Sequence, residues 1–162
     1  MRTFLWLGLA VCLLACGDDE ETEAPPPPPD AKAFMEDYFE VFDSYDKNAI
    51  VALYDPAVTA DISGLGMLSG FEEVRIEWLD PFTTAFPDYT HTVNSITVDG
   101  QHATADFVFR GTHQAELLGN PPTGEEIVLP IIGNYDVTDD DVTHFTLEYD
   151  VAIVVEAITP DA

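Results

Sequence analysis

The sequence predicts an α+β domain in which helices come first and pack on an antiparallel sheet. Two observations support this prediction. Apolar residues recur every three or four positions in the first half of the chain, and they alternate with polar residues in the second half. Because most helical patterns precede a run of consecutive strand patterns, the order is typical of α+β folds rather than of alternating α/β folds.

The first two helices follow a proline-rich segment. Over residues 31–45 apolar side chains keep helical spacing, and Asp30 stands where an N-cap residue is expected. After a polar break, residues 49–54 are predicted as a short second helix. Pro56 would end that helix, because proline cannot continue the helical hydrogen-bond ladder.

A short strand, a loop and a third helix come next. Residues 58–62 have a strand pattern, and the glycines of residues 64–67 indicate a mobile loop. The third helix is predicted over residues 71–86, and Pro81 should kink it or divide it in two. Its apolar face carries Val74, Trp78, Phe82 and Phe86.

The second half of the chain is predicted to form the sheet. Alternating apolar and polar residues predict strands over residues 89–98, 102–118, 125–137 and 142–153. Asp99-Gly100 is a strong signal for a tight hairpin turn between the first two of these strands. A run of three aspartates, residues 139–141, marks the turn before the last strand.

The charge of the chain excludes several classes of partner. There are 31 acidic residues against 5 basic ones, and the formal net charge is −26. A field of this sign repels nucleic acids and anionic lipid surfaces, and it disfavours anionic substrates such as nucleotides. Neutral or cationic small molecules are compatible with it. Solubility at an exposed or saline location is an alternative reason for the charge.

The N-terminus has the pattern of a targeting segment. Arg2 precedes an apolar run, residues 4–15, that is too short to span a bilayer as a mature helix. The run ends in Leu13-Leu14-Ala15-Cys16, which resembles a bacterial lipobox. That resemblance implies a lipoprotein signal peptide over residues 1–15, cleavage before Cys16 and lipid on its thiol. An ordinary secretory signal with a chance cysteine is the alternative.

Between this signal and the domain, the composition predicts a tether. Residues 16–30 are acidic and proline-rich, so they cannot bury apolar surface. We therefore expect one domain, residues 31–158, in the cell envelope and anchored to a bacterial membrane through Cys16. Because Cys12 lies in the signal and Cys16 would carry lipid, the domain would contain no cysteine. That excludes disulfides, thiol catalysis and cysteine-bound metal.

Three short motifs stand in close order along the second half of the chain. They are Phe86-Pro87-Asp88, Gly111-Thr112-His113 and Pro121-Pro122-Thr123-Gly124, with Tyr149-Asp150 after them. In this order they resemble the SnoaL-like polyketide cyclase family, also called ester cyclases, over about residues 32 to 155. The resemblance implies the nuclear-transport-factor-2-like cone, an α+β fold whose N-terminal helices pack on a curved antiparallel sheet.

The resemblance also implies a catalytic aspartate. The closing strand of the cyclases carries an aspartate that acts as general acid/base, and Asp150 stands at that position, although Thr146 replaces the aromatic residue that often precedes it. Strand alternation leaves open whether the face of Asp150 or that of Tyr149 looks into the pocket. His113 shares a face with the phenylalanines of its strand and is the second catalytic candidate. A solvated carboxylate and a buried structural histidine are the alternatives.

A dry pocket between helices and sheet would hold the ligand. Its predicted lining residues are Trp78, Phe82, Asn134 and Tyr135. The expected ligand is a small, neutral, largely apolar molecule. Intramolecular aldol closure requires removal of a proton from an acidified carbon and delivery of a proton to a carbonyl oxygen, and one carboxyl group in such a pocket can do both.

Two functions are compatible with these expectations. The first is a lipid-anchored enzyme of the cyclase, isomerase, lyase or hydrolase type. The second is a binding module that uses the same fold to hold an apolar ligand or a partner without turnover. No cofactor and no metal site are expected, because the four histidines lack the spacing of zinc ligands. Nucleic acid is not an expected partner, and a homodimer is left open.

Overall fold

The computed structural model describes residues 31–138 and 141–160. The predicted signal peptide, Cys16 and the tether lie outside these residues, as do Asp139 and Asp140 of the predicted last turn. In chain order the described elements are α1 (Ala31–Asp43), α2 (Lys47–Val51), β1 (Tyr54–Ile62), β2 (Gly66–Ser69), α3 (Phe71–Val74), a π-helical segment (Arg75–Leu79), α4 (Asp80–Ala85), β3 (Thr90–Asp99), β4 (His102–Thr112), β5 (Glu126–Thr138), β6 (Asp141–Glu148) and α5 (Val151–Ile158).

The strands form one curved, unclosed sheet, with the order β2-β1-β6-β5-β4-β3. The predicted α+β class is confirmed. All neighbouring strands run antiparallel except β1 and β6, which run parallel. A parallel pair requires a long crossover between its strands, and here the crossover contains the third helical region and three other long strands.

The concave face of the sheet is the core. Along β4 and β5 every second side chain is buried, as the alternation in the sequence predicts; those of largest volume are Phe107, Phe109, Ile127, Leu129, Ile131 and Tyr135. Helix α1 packs on β3 and β4, and α3 packs on β1. The buried face of α1 carries Met35, Tyr38, Phe39 and Phe42. Helices and sheet therefore enclose an interior that is rich in aromatic side chains.

The third predicted helix is present, and it is interrupted near Pro81 as predicted. Before the proline, the backbone widens into the π-helical segment, in which the Asp80 N–H donates to the carbonyl of Arg75 five residues back. Pro81 has no N–H to give to the regular ladder, and α4 begins around it. The interruption leaves Trp78 directed at the sheet, with its ring 5.5 Å from that of Phe145.

Several predicted boundaries need correction. The second helix ends at Val51, and β1 begins at Tyr54 rather than at residue 58, so Pro56 lies in a strand. The loop predicted over residues 64–67 is only partly a loop, because β2 begins at Gly66 and pairs with β1. The strand predicted to extend to residue 118 ends at Thr112, and the chain then leaves the sheet until β5. Glycine-rich and polar sequence can serve a short edge strand as well as a loop.

The last predicted strand is the larger error. β6 ends at Glu148, and residues 151–158 form α5 instead of continuing the strand. Asp150 is the N-cap of this helix, since its Oδ1 accepts a hydrogen bond from the Ala152 N–H at 2.9 Å. Short apolar runs fit a buried helix or a strand equally well. Here the cap and the burial of Val154 and Ile158 at helical spacing select the helix.

We expect Asp150→Ala to lower the free energy of unfolding by about 1 kcal/mol, because it removes the helix cap. Asp150→Asn should change the free energy of unfolding by only a few tenths of a kcal/mol, because asparagine caps a helix as well as aspartate does. Urea denaturation measures both, and Glu156→Ala, exposed on the same helix, is the control. Equal losses in the two Asp150 variants would contradict the capping role.

Candidate functional site

A small cavity lies between α1, the third helical region and the concave face of the sheet. The volume that the centres of water molecules can occupy is about 40 Å³. This is room for about three waters. Ten of its lining residues are aromatic: Tyr38, Phe39, Phe42, Trp78, Phe82, Tyr89, Phe107, Phe109, Tyr135 and Tyr149. Such a wall excludes bulk water and strengthens any electrostatic interaction inside it.

His91 is the one titratable nitrogen base in this wall. It lies near the start of β3, and its Nδ1 is 2.7 Å from Oδ1 of Asp43, the last residue of α1. The backbone N–H of His91 also donates to Oδ2 of Asp43 at 3.2 Å. This carboxylate therefore holds the imidazole at two points and favours the tautomer with hydrogen on Nδ1.

The second nitrogen of His91 is free to act. Among the described residues, Nε2 of His91 has no hydrogen-bond partner, yet it is not a fully buried atom. The ring lies 5.6 Å from that of Phe107 and 5.7 Å from that of Phe109. With Nδ1 donating to Asp43, Nε2 carries the lone pair that can accept a proton.

Three tyrosine hydroxyls meet at the deep side of the cavity. Tyr38 and Tyr54 share a hydrogen bond of 2.7 Å, and the hydroxyl of Tyr135 interacts with that of Tyr38. Burial raises the pKa of all three phenols, so they stay protonated and remain hydrogen-bond donors. Tyr38 and Tyr135 line the cavity itself.

The position of Tyr135 depends on a glycine. A Cβ at Gly133 would lie 2.5 Å from the Tyr135 hydroxyl oxygen and 2.6 Å from Cε2 of its ring. The two residues share the concave face of β5, so the tyrosine ring lies over the backbone of Gly133. Any larger residue at this position would displace the ring.

Tyr149 completes the wall at the end of β6. Burial raises the pKa of Tyr149 to about 12, so its phenol is neutral across the physiological range. The hydroxyl makes no hydrogen bond to the described residues and is not a fully buried atom. The hydroxyl is therefore available to a ligand. By the alternation of the strand, Tyr149 lies on the same face as Phe145 and Leu147.

The residues predicted to line the pocket fall into two groups. Trp78, Phe82 and Tyr135 line the cavity. Asn134 points to the opposite side of the sheet, where it accepts from the Thr104 hydroxyl and donates to Thr146. The reason is the alternation of the strand, because neighbours in β5 face opposite ways.

The two predicted catalytic residues lie outside the cavity lining. Asp150 is exposed at the start of α5, and the parity of β6 directs Tyr149 rather than Asp150 toward the interior. His113 is fully buried. Its Nδ1 accepts from the Thr123 N–H at 3.2 Å, and the Thr123 hydroxyl donates to the Ala157 carbonyl at 2.8 Å. His113 therefore helps to join the loop after β4 to α5. The positions of His113 and Asp150 give no support to a catalytic role for either residue.

Sequence reasoning did not find the Asp43–His91 pair. The two residues are 48 positions apart and belong to a helix and a strand. No local motif links them. A pair this far apart in the sequence does not stand out as closely spaced histidine and aspartate residues would. For Tyr149 a signal existed, because its shared parity with Phe145 and Leu147 marks it as a candidate for the inner face.

Over residues 31–138 and 141–160, no group of three or more histidine, cysteine or carboxylate side chains is arranged to hold a metal ion. None of the helices in the same part of the chain is long and apolar enough to cross a membrane.

A model of the SnoaL-like domain matches residues 35–145. The chain belongs to the SnoaL-like family. The match covers most of the helices and strands that surround the cavity. A comparison with curated proteins finds no match.

Solved structures of SnoaL-like and related proteins share the nuclear-transport-factor-2-like fold of this chain. A candidate SnoaL-like polyketide cyclase from Jannaschia sp. CCS1 superposes with a TM-score of 0.73 at 19% identity, over 86% of this chain and 99% of that one. IdmH, a candidate polyketide cyclase from Streptomyces antibioticus, has a TM-score of 0.64 at 23% identity, over 80% and 98%. AclR, a candidate hydroxylase from Streptomyces galilaeus, has a TM-score of 0.70 at 18% identity, over 79% and 94%. At these identities the likeness shows the fold alone.

Gly133→Ala should lower the free energy of unfolding by about 1–3 kcal/mol, because the new methyl group overlaps the Tyr135 ring. The double variant Gly133→Ala with Tyr135→Leu should recover part of this loss, since the clashing ring is gone. Chemical denaturation of the two variants measures the recovery. No recovery would show that the glycine serves the backbone rather than the tyrosine.

Alkaline pH should destabilise the fold through its tyrosines. Apart from the exposed Tyr45, the phenols with pKa values raised by burial are Tyr38, Tyr54, Tyr89, Tyr135 and Tyr149. An unfolded tyrosine ionises near pH 10, so these groups stabilise the fold fully below about that pH. As the pH rises further, the unfolded state loses protons that the folded state retains, and stability falls toward and beyond the value of about 12 for Tyr89 and Tyr149.

Urea unfolding from pH 8 to 12, combined with tyrosinate absorbance, tests this sign. The buried phenols should ionise only as the protein unfolds. Complete tyrosinate formation near pH 10 in a folded protein would contradict the burial of these rings.

Proposed function

We propose that this protein binds a small neutral carbonyl compound in its aromatic cavity and that His91 transfers a proton, in a reaction of the cyclase or isomerase type. The observation that carries the proposal is the Asp43–His91 pair in the cavity wall, with Nδ1 and Oδ1 2.7 Å apart. Membership of the SnoaL-like family and likeness to candidate polyketide cyclases support the reaction class.

In the proposed chemistry His91 is the general base. Nε2 accepts a proton from the carbon next to the carbonyl group, so a C–H bond breaks, an N–H bond forms, and the electron pair moves to the carbonyl oxygen as an enolate. The Asp43 carboxylate orients the ring and stabilises the imidazolium that forms. In a cyclase the enolate carbon then attacks a second carbonyl within the molecule, and the oxygen of that carbonyl takes the proton from Nε2. In an isomerase the enolate is conjugated with a double bond, and the far carbon of that double bond takes the proton from Nε2. Either step returns His91 to its neutral form.

Neutral tyrosines would stabilise the enolate oxygen. The hydroxyl of Tyr149 is without a partner among the described residues, and burial keeps it protonated. Fixed hydrogen-bond donors aimed at a developing oxyanion in a dry site lower the barrier substantially, because they need no reorganisation. We assign this role to Tyr149, because the hydroxyls of Tyr38 and Tyr135 are engaged with each other and with Tyr54.

His91→Gln should reduce proton transfer by about 10²–10⁴-fold, the usual contribution of a general base. The measurement is deuterium uptake by 2-butanone in heavy water, followed by NMR, with and without protein. Asp43→Asn should cause a smaller loss, because it disturbs the orientation of the ring but leaves the base in place.

The chain provides a matched control for this experiment. His102 and Asp136 form a second histidine–aspartate pair, with Nδ1 and Oδ1 2.6 Å apart, on the exposed part of β4 and β5. His102→Gln removes an equivalent hydrogen bond outside the cavity and should leave exchange unchanged. Equal rates for wild type, His91→Gln and His102→Gln would exclude His91 as the base.

A binding module on the same fold is the second candidate function. The smallness of the cavity and its largely aromatic wall favour it. Saturable binding of 2-butanone without faster deuterium uptake than in buffer would support this alternative, and the Asp43–His91 pair would then be a structural contact between α1 and β3.

We further propose that Cys16 anchors the domain to a bacterial membrane. Support comes from Leu13-Leu14-Ala15-Cys16 behind a short apolar run. Cys16→Ser should move the protein out of the membrane fraction of a bacterial host, because the thiol that carries the lipid is absent. Cys12→Ser, in the same segment, should leave fractionation unchanged. Membrane association of Cys16→Ser at the wild-type level would contradict the anchor.

A further inference from the structure

We propose that the substrate is an elongated neutral amphiphile, whose carbonyl head enters the cavity while its hydrocarbon tail lies in a second, outer groove. This inference rests on the proposed function for the head, but the groove and its occupant can be tested without any turnover. The outer groove is formed by the loop at Leu65, the π-helical segment, the turn at Leu118 and the outer side of α5.

The groove and the cavity share a wall. Trp78, Phe82 and Tyr149 line both spaces. Each of these side chains is only partly buried, and Trp78 lies in the π-helical segment. The two spaces are therefore separated by one layer of side chains.

The sizes of the two spaces imply a ligand with two parts. The cavity has about 40 Å³ for the centres of water-sized molecules, and the groove has about 270 Å³. A head of about three non-hydrogen atoms fills the cavity, since each water needs roughly 10–15 Å³ on this measure. A longer molecule that brings its carbonyl group to His91 must leave the rest of its body in the groove.

The walls of the groove are unusually apolar for exposed surface. Ile76 and Val155 are each 50% exposed, and Leu118 is 72% exposed. Leu118 has a φ of 52°, in the left-handed region, and Gly119 after it has a φ of 80°. This conformation costs leucine about 1 kcal/mol, and strained residues of this kind concentrate at ligand sites. A solvent-exposed leucine held under strain at the rim is explained by an apolar ligand.

Charge selects the head group. The charged residues that line the groove are Glu77 and Glu116, both exposed, and no basic side chain lines it. The lysines and arginines of the described part of the chain are Lys32, Lys47, Arg75 and Arg110, and none of them lines the groove or the cavity. A carboxylate or phosphate head would be repelled by Glu77 and Glu116, and no basic side chain in the groove or the cavity would offset that repulsion. A neutral head is therefore favoured.

Binding of matched ketones to the full chain carrying Trp6→Phe tests the proposal, because Trp78 is then its only tryptophan. The readout is the saturable change in Trp78 fluorescence. Each buried methylene is worth about fourfold in affinity. Because 2-octanone has four more methylenes than 2-butanone, it should bind about 250-fold more tightly. Octanoate, with a similar tail and an anionic head, should bind at least about tenfold more weakly than 2-octanone.

Substitutions in the groove should remove the contribution of the tail alone. Val155→Asp and Ile76→Asp, which both change groove-lining residues, should each bring the affinity for 2-octanone close to that for 2-butanone and affect 2-butanone far less. Val98→Asp is the control, because Val98 is 39% exposed on β3 and lies outside both spaces. Thermal unfolding of each variant confirms that the fold is retained, and two groove variants protect the test against the failure of one.

The outcomes separate this inference from the proposed function. Equal affinities for 2-butanone and 2-octanone, or full 2-octanone binding in both groove variants, would overturn the groove as a tail site. Octanoate binding as tightly as 2-octanone would overturn the preference for a neutral head. If the ketones bind as expected while His91→Gln leaves deuterium uptake unchanged, the groove stands and the catalytic assignment of His91 fails.

Discussion

Aromatic packing between α1 and the concave face of the sheet holds this fold together. The ring of Tyr38 lies 5.4 Å from that of Tyr135, and the ring of Phe39 lies 4.9 Å from that of Phe107. Both cysteines precede residue 31, so no disulfide can support the described part of the chain. Stability depends on burying large rings. Each ring–ring contact adds to the free energy that is gained by removing apolar area from water. Because rings of fixed shape do not fill a curved interior completely, a small cavity remains among them.

The same burial determines the chemistry that the interior can support. Desolvation keeps the phenols of Tyr38, Tyr135 and Tyr149 neutral, and therefore able to donate hydrogen bonds. The Asp43 carboxylate beside His91 fixes the orientation of its imidazole. A neutral wall with one oriented base is suited to removing a proton from an uncharged molecule. The chain has a net charge of −26, and a field of this sign disfavours the approach of anionic compounds.

The structure also changes the roles of residues that the family resemblance singled out. His113 lies in one of the family motifs, and Thr123 of a second motif binds its ring and the carbonyl of Ala157 in α5. Two of the motifs by which the sequence resembles the family therefore meet at one structural contact, which joins the loop after β4 to the C-terminal helix. Motifs shared by members of a fold family can record such packing requirements, while the groups that act on a ligand differ from member to member.

Periodicity in the sequence by itself determined most of the architecture. The positions of the first and third helices and the inward direction of Phe107 and Tyr135 follow from spacings of two and 3.6 residues. The interruption near Pro81 follows from the missing N–H of proline. All of these are local properties. Spacing could not assign residues 151–158 to a helix, because a short apolar run satisfies both periods and the cap at Asp150 decides between them.

Only the tertiary structure brought Asp43 to His91 and placed Trp78, Phe82 and Tyr149 between two spaces. These contacts join residues 48 or more positions apart or residues of separate elements. They depend on how helix and sheet pack, which no local pattern encodes.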